Sequence, residues 1–64
     1  MTYTVIIMNC RGEIEKYNFE EQYRANAERV YNNHVYMFND MMVLLLQCRG
    51  KAVEPIATYY RQYD

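Results

Sequence analysis

Cys10, His34, Asp40 and Cys48 are the side chains of this chain with the strongest claim to chemistry. A thiol beside an imidazole makes a nucleophile and its base, and two thiols, an imidazole and a carboxylate make a set of metal ligands. The spacing supports neither arrangement. No C-x-x-C pair closes a chelate, and nothing in the sequence sets His34 or a helix N-terminus beside either thiol to activate it. The chain contains no serine, which excludes a serine hydrolase. Of the carboxylate pairs, Glu13/Glu15 falls on an expected strand and Glu20/Glu21 at an expected helix start, where acid favours the helix dipole. Both glycines fall in turns, leaving none for a phosphate loop. The expectation is a non-enzymatic protein without catalytic residues, metal or cofactor.

Aromatic and cationic residues make a second constellation. The tail TYYRQYD, the pair Tyr23/Arg24 and the run RVY at residues 29–31 alternate tyrosine with arginine. Tyr faces and Arg planes build single-stranded nucleic-acid platforms, and they build protein hot spots equally well. Seven Lys plus Arg against eight Asp plus Glu give a net charge of -1. That lacks the basic field of a nucleic-acid binder and the strong acidity of a DNA mimic. Protein is therefore the favoured partner, with Met8, Met37, Met42, Tyr59, Tyr60 and Tyr63 as anchors, because Tyr and Met are enriched at interfaces. The alternative is a small nucleic-acid-binding module using Tyr23, Arg24, Tyr59, Tyr60 and Arg61.

The elements that must position these residues are marked by a repeated turn signal, NCRGE at residues 9–13 and QCRGK at residues 47–51. Asn9 suits the first position of a type I turn, and Gly12 the left-handed position that closes a three-residue hairpin loop with a bulge. Gln47 to Lys51 repeats the offer through Gly50. The flanks TVIIM (4–8) and EIEKYNF (13–19) bracket the first turn, and VLLL (43–46) and KAVEPIATY (51–59) the second. Two β-hairpins follow. Between them Asn18 and Glu21 suggest a capping box, followed by Phe19, Tyr23, Ala27, Val30, Tyr31 and His34 at helical spacing. Glu20 and Arg24 form an i, i+4 pair on the opposite face, and Asn32 and Asn33 read as the helix end. Residues 35–40 suit either a short strand or an extended return along the sheet. If the second hairpin comes straight back down, the two CRG tips lie at opposite ends; if residues 35–40 return along the sheet first, the tips lie at the same end, and only that layout permits a Cys10/Cys48 pair.

A three-residue turn sets Asn9 opposite Glu13, Met8 opposite Ile14 and Val5 opposite Tyr17. One face then holds Tyr3, Val5, Ile7, Tyr17 and Phe19, and the other Ile6, Met8 and Ile14. In the second hairpin Val43, Leu45 and Val53 share one side, with Leu44, Leu46, Ala52 and Ile56 on the other. Both faces are apolar, yet the chain has one helix, and one helix covers one side. The other side needs a cover: the tail IATYYRQYD folded back as a short helix started at Pro55, a second copy, or a foreign protein.

The 64 residues make one domain, too small to bury much core without help. Two cysteines are too few for a disulfide scaffold, the opening MTYTVII is no secretory signal, and MMVLLL is far too short to span a membrane. A soluble, cytoplasmic protein is expected. The run YTVIIMNCRGEIEKYNF, then EEQYRANAERVY and a second hairpin, resembles the small ββαββ accessory proteins of bacteriophages and mobile elements, anti-CRISPR inhibitors among them. The resemblance lies in the pattern and covers most of the chain. It implies a binder that inhibits or modulates a host protein, such as a defence nuclease, by occupying its surface. The expected fold is α+β: two hairpins forming a four-stranded antiparallel sheet with one amphipathic helix on one face, acting as a homodimer, on a host protein, or both.

Overall fold

The computed structural model describes residues 1–61. Strands β1 (Thr2–Met8) and β2 (Ile14–Glu20) form the first hairpin, and a 3-10 turn (Glu21–Tyr23) leads into helix α1 (Arg24–Met37). Strands β3 (Met42–Arg49) and β4 (Ala52–Tyr60) form the second hairpin. All pairings are antiparallel and the sheet order is β2-β1-β3-β4, so β1 and β3, the most aliphatic strands, take the centre. The expected ββαββ arrangement holds. Helix α1 lies over β1, β2 and β3 on one face. Beneath it Tyr3, Val5, Ile7, Val43 and Leu45 are buried together with its own Ala27, with Val5 and Val43 at 0% exposure. Phe19, Val30, Tyr31, Val35, Ala57 and Tyr59 pack around them.

The first turn forms as read. The Asn9 carbonyl accepts from the Gly12 N–H at 3.0 Å, and its side-chain oxygen accepts from the N–H groups of Arg11 and Glu13 at 2.9 and 3.0 Å. The second turn differs. Arg49 pairs directly with Ala52, so the loop is the two residues Gly50 and Lys51, with Gly50 at φ +61 and no other residue there at positive φ. A positive φ at the first loop position alone is the II′ pattern, which wants Gly there. The longer side chain of Gln47 does not reproduce the Asx turn that fixes Asn9, and Gln47 instead sits in the strand opposite Glu54. This changes the parity of β4. Val53 pairs with Cys48 and joins the Leu44 and Leu46 side, and Ala52 takes the opposite side, reversing both expected positions. A bulge then absorbs Ile56, which lines a cleft with Leu45, Tyr31 and Ala57 on the helix side and so leaves the face expected for it. Pro55, which lacks an N–H, sits beside that bulge on an outer strand, where the missing donor is tolerated.

The helix is displaced toward the C-terminus. Asn18 lies within β2, where its side-chain oxygen accepts from the Thr4 hydroxyl at 2.9 Å; neither the 3-10 turn nor α1 has a side-chain N-cap. Strand pairing from Thr2 to Glu20 holds residues 18–20 extended, which overrides the capping-box pattern. The Glu20/Arg24 pair does not form: Glu20 accepts from Gln22, while Arg24 bonds Glu28 at 2.9 Å and lies over the Tyr3 ring, 5.5 Å from its centroid. At the other end α1 runs through Asn32 and Asn33 to Met37, because Val35 packs on the core and packing outweighs the weak helix preference of asparagine. Residues 35–37 are therefore helical rather than a strand. The tail forms β4 as far as Tyr60, as the hairpin reading of KAVEPIATY expects, which removes the short helix started at Pro55 from the three candidate covers.

Gly12 and Gly50 have φ of +83 and +61, and a Cβ built on either meets nothing within 4 Å. Substitution there costs backbone strain alone. Gly12→Ala and Gly50→Ala are each expected to lower stability by about 1 kcal/mol, read as a shift in urea midpoint at unchanged slope.

Candidate protein-binding face

With α1 on one side, the alternation of the strands turns a second set of side chains to the other. The paired register arranges them in cross-strand rows. Ile14, Met8, Met42 and Tyr60 make one row at the end near the first turn; Lys16, Ile6, Leu44 and Thr58 make the next. Asn18, Thr4, Leu46 and Pro55 follow, then Glu20, Thr2, Cys48 and Val53. Ile6, Met8, Met42, Leu44 and Leu46 are half-buried, and at the margins Ile14 is 66% and Tyr60 61% exposed. The apolar surface spans all four strands at one end and narrows toward β3 and β4 at the other. Its polar corner is self-satisfied: the Thr4 hydroxyl donates to Asn18 and lies 3.8 Å from Cys48 Sγ.

Of the expected anchors, the fold brings Met8, Met42 and Tyr60 into one row. Tyr59, the register partner of Val43, packs instead against the core on the helix side. Met37 ends α1 and is 75% exposed, next to exposed Tyr36 and Phe38. Tyr63 lies outside the described residues. Ile6, Leu44 and Leu46, the centre of the face, were not among the expected anchors, although the alternation of VLLL against TVIIM had already set them on that side. The nucleic-acid set is dispersed. Tyr23 and Arg24 lie at the start of the helix, beside the Tyr3 end of β1, whereas Tyr60 and Arg61 lie at the opposite end of the sheet, and Tyr59 and Tyr60 point to opposite faces. Arg24 is held by Glu28, and Arg61 donates to the Asn39 side chain.

The remaining chemical candidates are also placed. Because β1 and β3 are antiparallel, the two CRG tips fall at opposite ends of the sheet, which separates Cys10 from Cys48. His34 Nδ1 lies 2.7 Å from Asp40 Oδ2, and the His34 ring stacks on Phe38 with centroids 4.6 Å apart. With the carboxylate accepting, Nδ1–H is the donor. Among the described residues no three or more of His, Cys, Asp and Glu gather as metal ligands. Burial raises the Tyr31 phenol above its ordinary value, and the Glu15 carboxylate, accepting from Tyr17 at 2.9 Å, raises that phenol as well. Both shifts favour neutral tyrosine. Among the described residues no helix is long and apolar enough to cross a membrane. Comparison with protein families, with curated proteins and with solved structures finds no match, which leaves the chain's own geometry as the ground for its function.

Proposed function

We propose that this chain is a small non-enzymatic protein-interaction module whose open sheet face docks on another protein surface. One observation carries the reading: the face opposite α1 presents Ile6, Met8, Met42, Leu44 and Leu46 in contiguous rows, with no element among the described residues packed over them. Contiguous apolar surface of this extent marks an interaction site. The resemblance to phage and mobile-element accessory proteins points to a host protein, such as a defence nuclease, that the module inhibits or modulates by occupying its surface. The dispersal of Tyr23 and Arg24 from Tyr60 and Arg61 weighs against the nucleic-acid alternative.

The test is capture. Tagged wild-type protein and Ile6→Lys are used as baits in a bacterial lysate, with circular dichroism confirming that both are folded. Association lost in Ile6→Lys supports the face. The reading fails if the substitution leaves every association, with itself or with other proteins, unchanged.

A further inference from the structure

Resting on the reading that the open face is a docking surface, we propose that its occupant is a second copy of this chain, packed sheet to sheet about a two-fold axis that runs parallel to the strands between β1 and β3. The register carries the inference. A half-turn about such an axis keeps each cross-strand row in place while exchanging β1 with β3 and β2 with β4. Met8 then lies over Met42 of the second copy, Ile6 over Leu44 and Ile14 over Tyr60, so apolar meets apolar at each of these positions. The same operation sets Thr4 over Leu46 and Glu20 over Val53, at the polar end of the face; a two-fold across the strands would instead set Ile14 over Glu20, Ile6 over Thr4 and Met8 over Thr2, and so break up the apolar end that the first axis keeps whole.

Charge and area agree. Among the described residues the face carries two charged side chains, Lys16 and Glu20, both on the outer strand β2 and of opposite sign. Two copies therefore meet without net repulsion, and the face offers no signed field to a strongly charged foreign surface. Four strands at about 4.8 Å spacing and seven residues at about 3.3 Å rise give a face of roughly 19 by 23 Å. Covering it on both copies removes on the order of 900 Å² by this footprint, just under the roughly 1,000 Å² of a specific interface and in the range of a weak, concentration-dependent dimer. The sheet edges are the poorer alternative: β4 carries Pro55 and a bulge, and β2 carries Glu15, Lys16 and Glu20, features that blunt edge-to-edge pairing. The product is an eight-stranded sandwich with sheets about 10 Å apart and both helices outside.

Light scattering on a sizing column, across a concentration series of the full chain, is expected to give twice 7.8 kDa. Leu44→Lys is expected to reduce this to the single-chain mass. Ile14→Lys alters an already exposed side chain, and it is expected to weaken association at least tenfold without disturbing the fold. An independent readout uses peroxide oxidation of the unmodified protein. Met8 and Met42 should oxidise several-fold more slowly above the dimerisation concentration than below it, while Met37 at the helix end reacts equally in both. A dimer that survives both lysine substitutions, or Met8 and Met42 that gain no protection, overturns the proposed interface. A single-chain mass at all concentrations overturns the second copy itself. If capture of another protein is still lost in Ile6→Lys, that outcome leaves the docking reading standing with a foreign partner; if capture is unchanged, both fall.

Discussion

Replacing Tyr3 with alanine is expected to cost about 3–5 kcal/mol, the range for deleting a buried aromatic side chain. Tyr3 is 2% exposed on central strand β1, flanked in register by Phe19 and Gln47 and capped by the Arg24 guanidinium 5.5 Å above its ring. With 64 residues and roughly 0.05–0.15 kcal/mol of stability per residue, the whole domain holds about 3–10 kcal/mol. The substitution therefore removes about a third of that stability at the upper end of the range and all of it at the lower end. Tyr3→Phe keeps the ring and its cation contact and is expected to lose under about 1.5 kcal/mol, as a near-isosteric change does. Urea denaturation followed by circular dichroism compares the three proteins. A Tyr3→Ala loss below about 1 kcal/mol would show that the core is not closed around this residue.

Local chemistry explains why some elements were legible in the sequence and others were not. Asn9 and Gly12 determine a turn through short-range hydrogen bonds, so the first hairpin could be read residue by residue, down to Val5 opposite Tyr17. Gln47 looks like Asn9 on paper, but one added methylene removes the Asx turn. The loop shortens to Gly50 and Lys51, and β4 changes parity until the bulge at Ile56 restores it. Asn18 and Glu21 had the spacing of a capping box, yet the ladder to β1 extends through Glu20 and claimed Asn18 first. Asn32 and Asn33 read as a stop, but the burial that carries α1 past them comes from Val35 meeting the sheet, a tertiary contact invisible in local sequence.

The candidate face was legible in kind and partly in detail. Period-two alternation in TVIIM and VLLL showed that both sides of the sheet would be apolar, and one helix covers one side. Which residues lie at the centre depended on strand order. With β1 and β3 adjacent, Ile6 and Leu44 become register partners in the middle of the sheet, whereas composition alone drew attention to Met and Tyr at its margin. Tyr59 differs for another reason: the register that sets Val53 beside Val43 also sets Tyr59 there, and once the bulge at Ile56 restores that parity Tyr59 pairs with Val43 on the helix side.

His34 and Asp40 show how a residue set picked for chemistry becomes a structural clamp. Asp40 is 7% exposed and its Oδ2 lies 2.7 Å from His34 Nδ1 in the last turn of α1; Met41, next in the chain, donates its N–H to the Met8 carbonyl at 2.8 Å. The pair ties the helix end to Asp40, two residues before β3 begins its run beside β1. Asp40→Ala removes the acceptor and leaves a half-buried imidazole N–H without it, at an expected cost of about 1–3 kcal/mol. For a domain of this size each kcal/mol corresponds to roughly 4–8 °C in melting temperature. His34→Ala is expected to fall in the same range, and because both substitutions break one contact, the double variant should lose less than the sum by at least about 0.5 kcal/mol. A second readout follows from position: loosening Asp40 frees the start of β3, so the Met41 amide should exchange with deuterium faster in Asp40→Ala while the Val5 and Leu45 amides change only with global stability. Additivity within about 0.3 kcal/mol, together with unchanged exchange at Met41, would mean that the helix end is held by the Phe38 stack and the core alone.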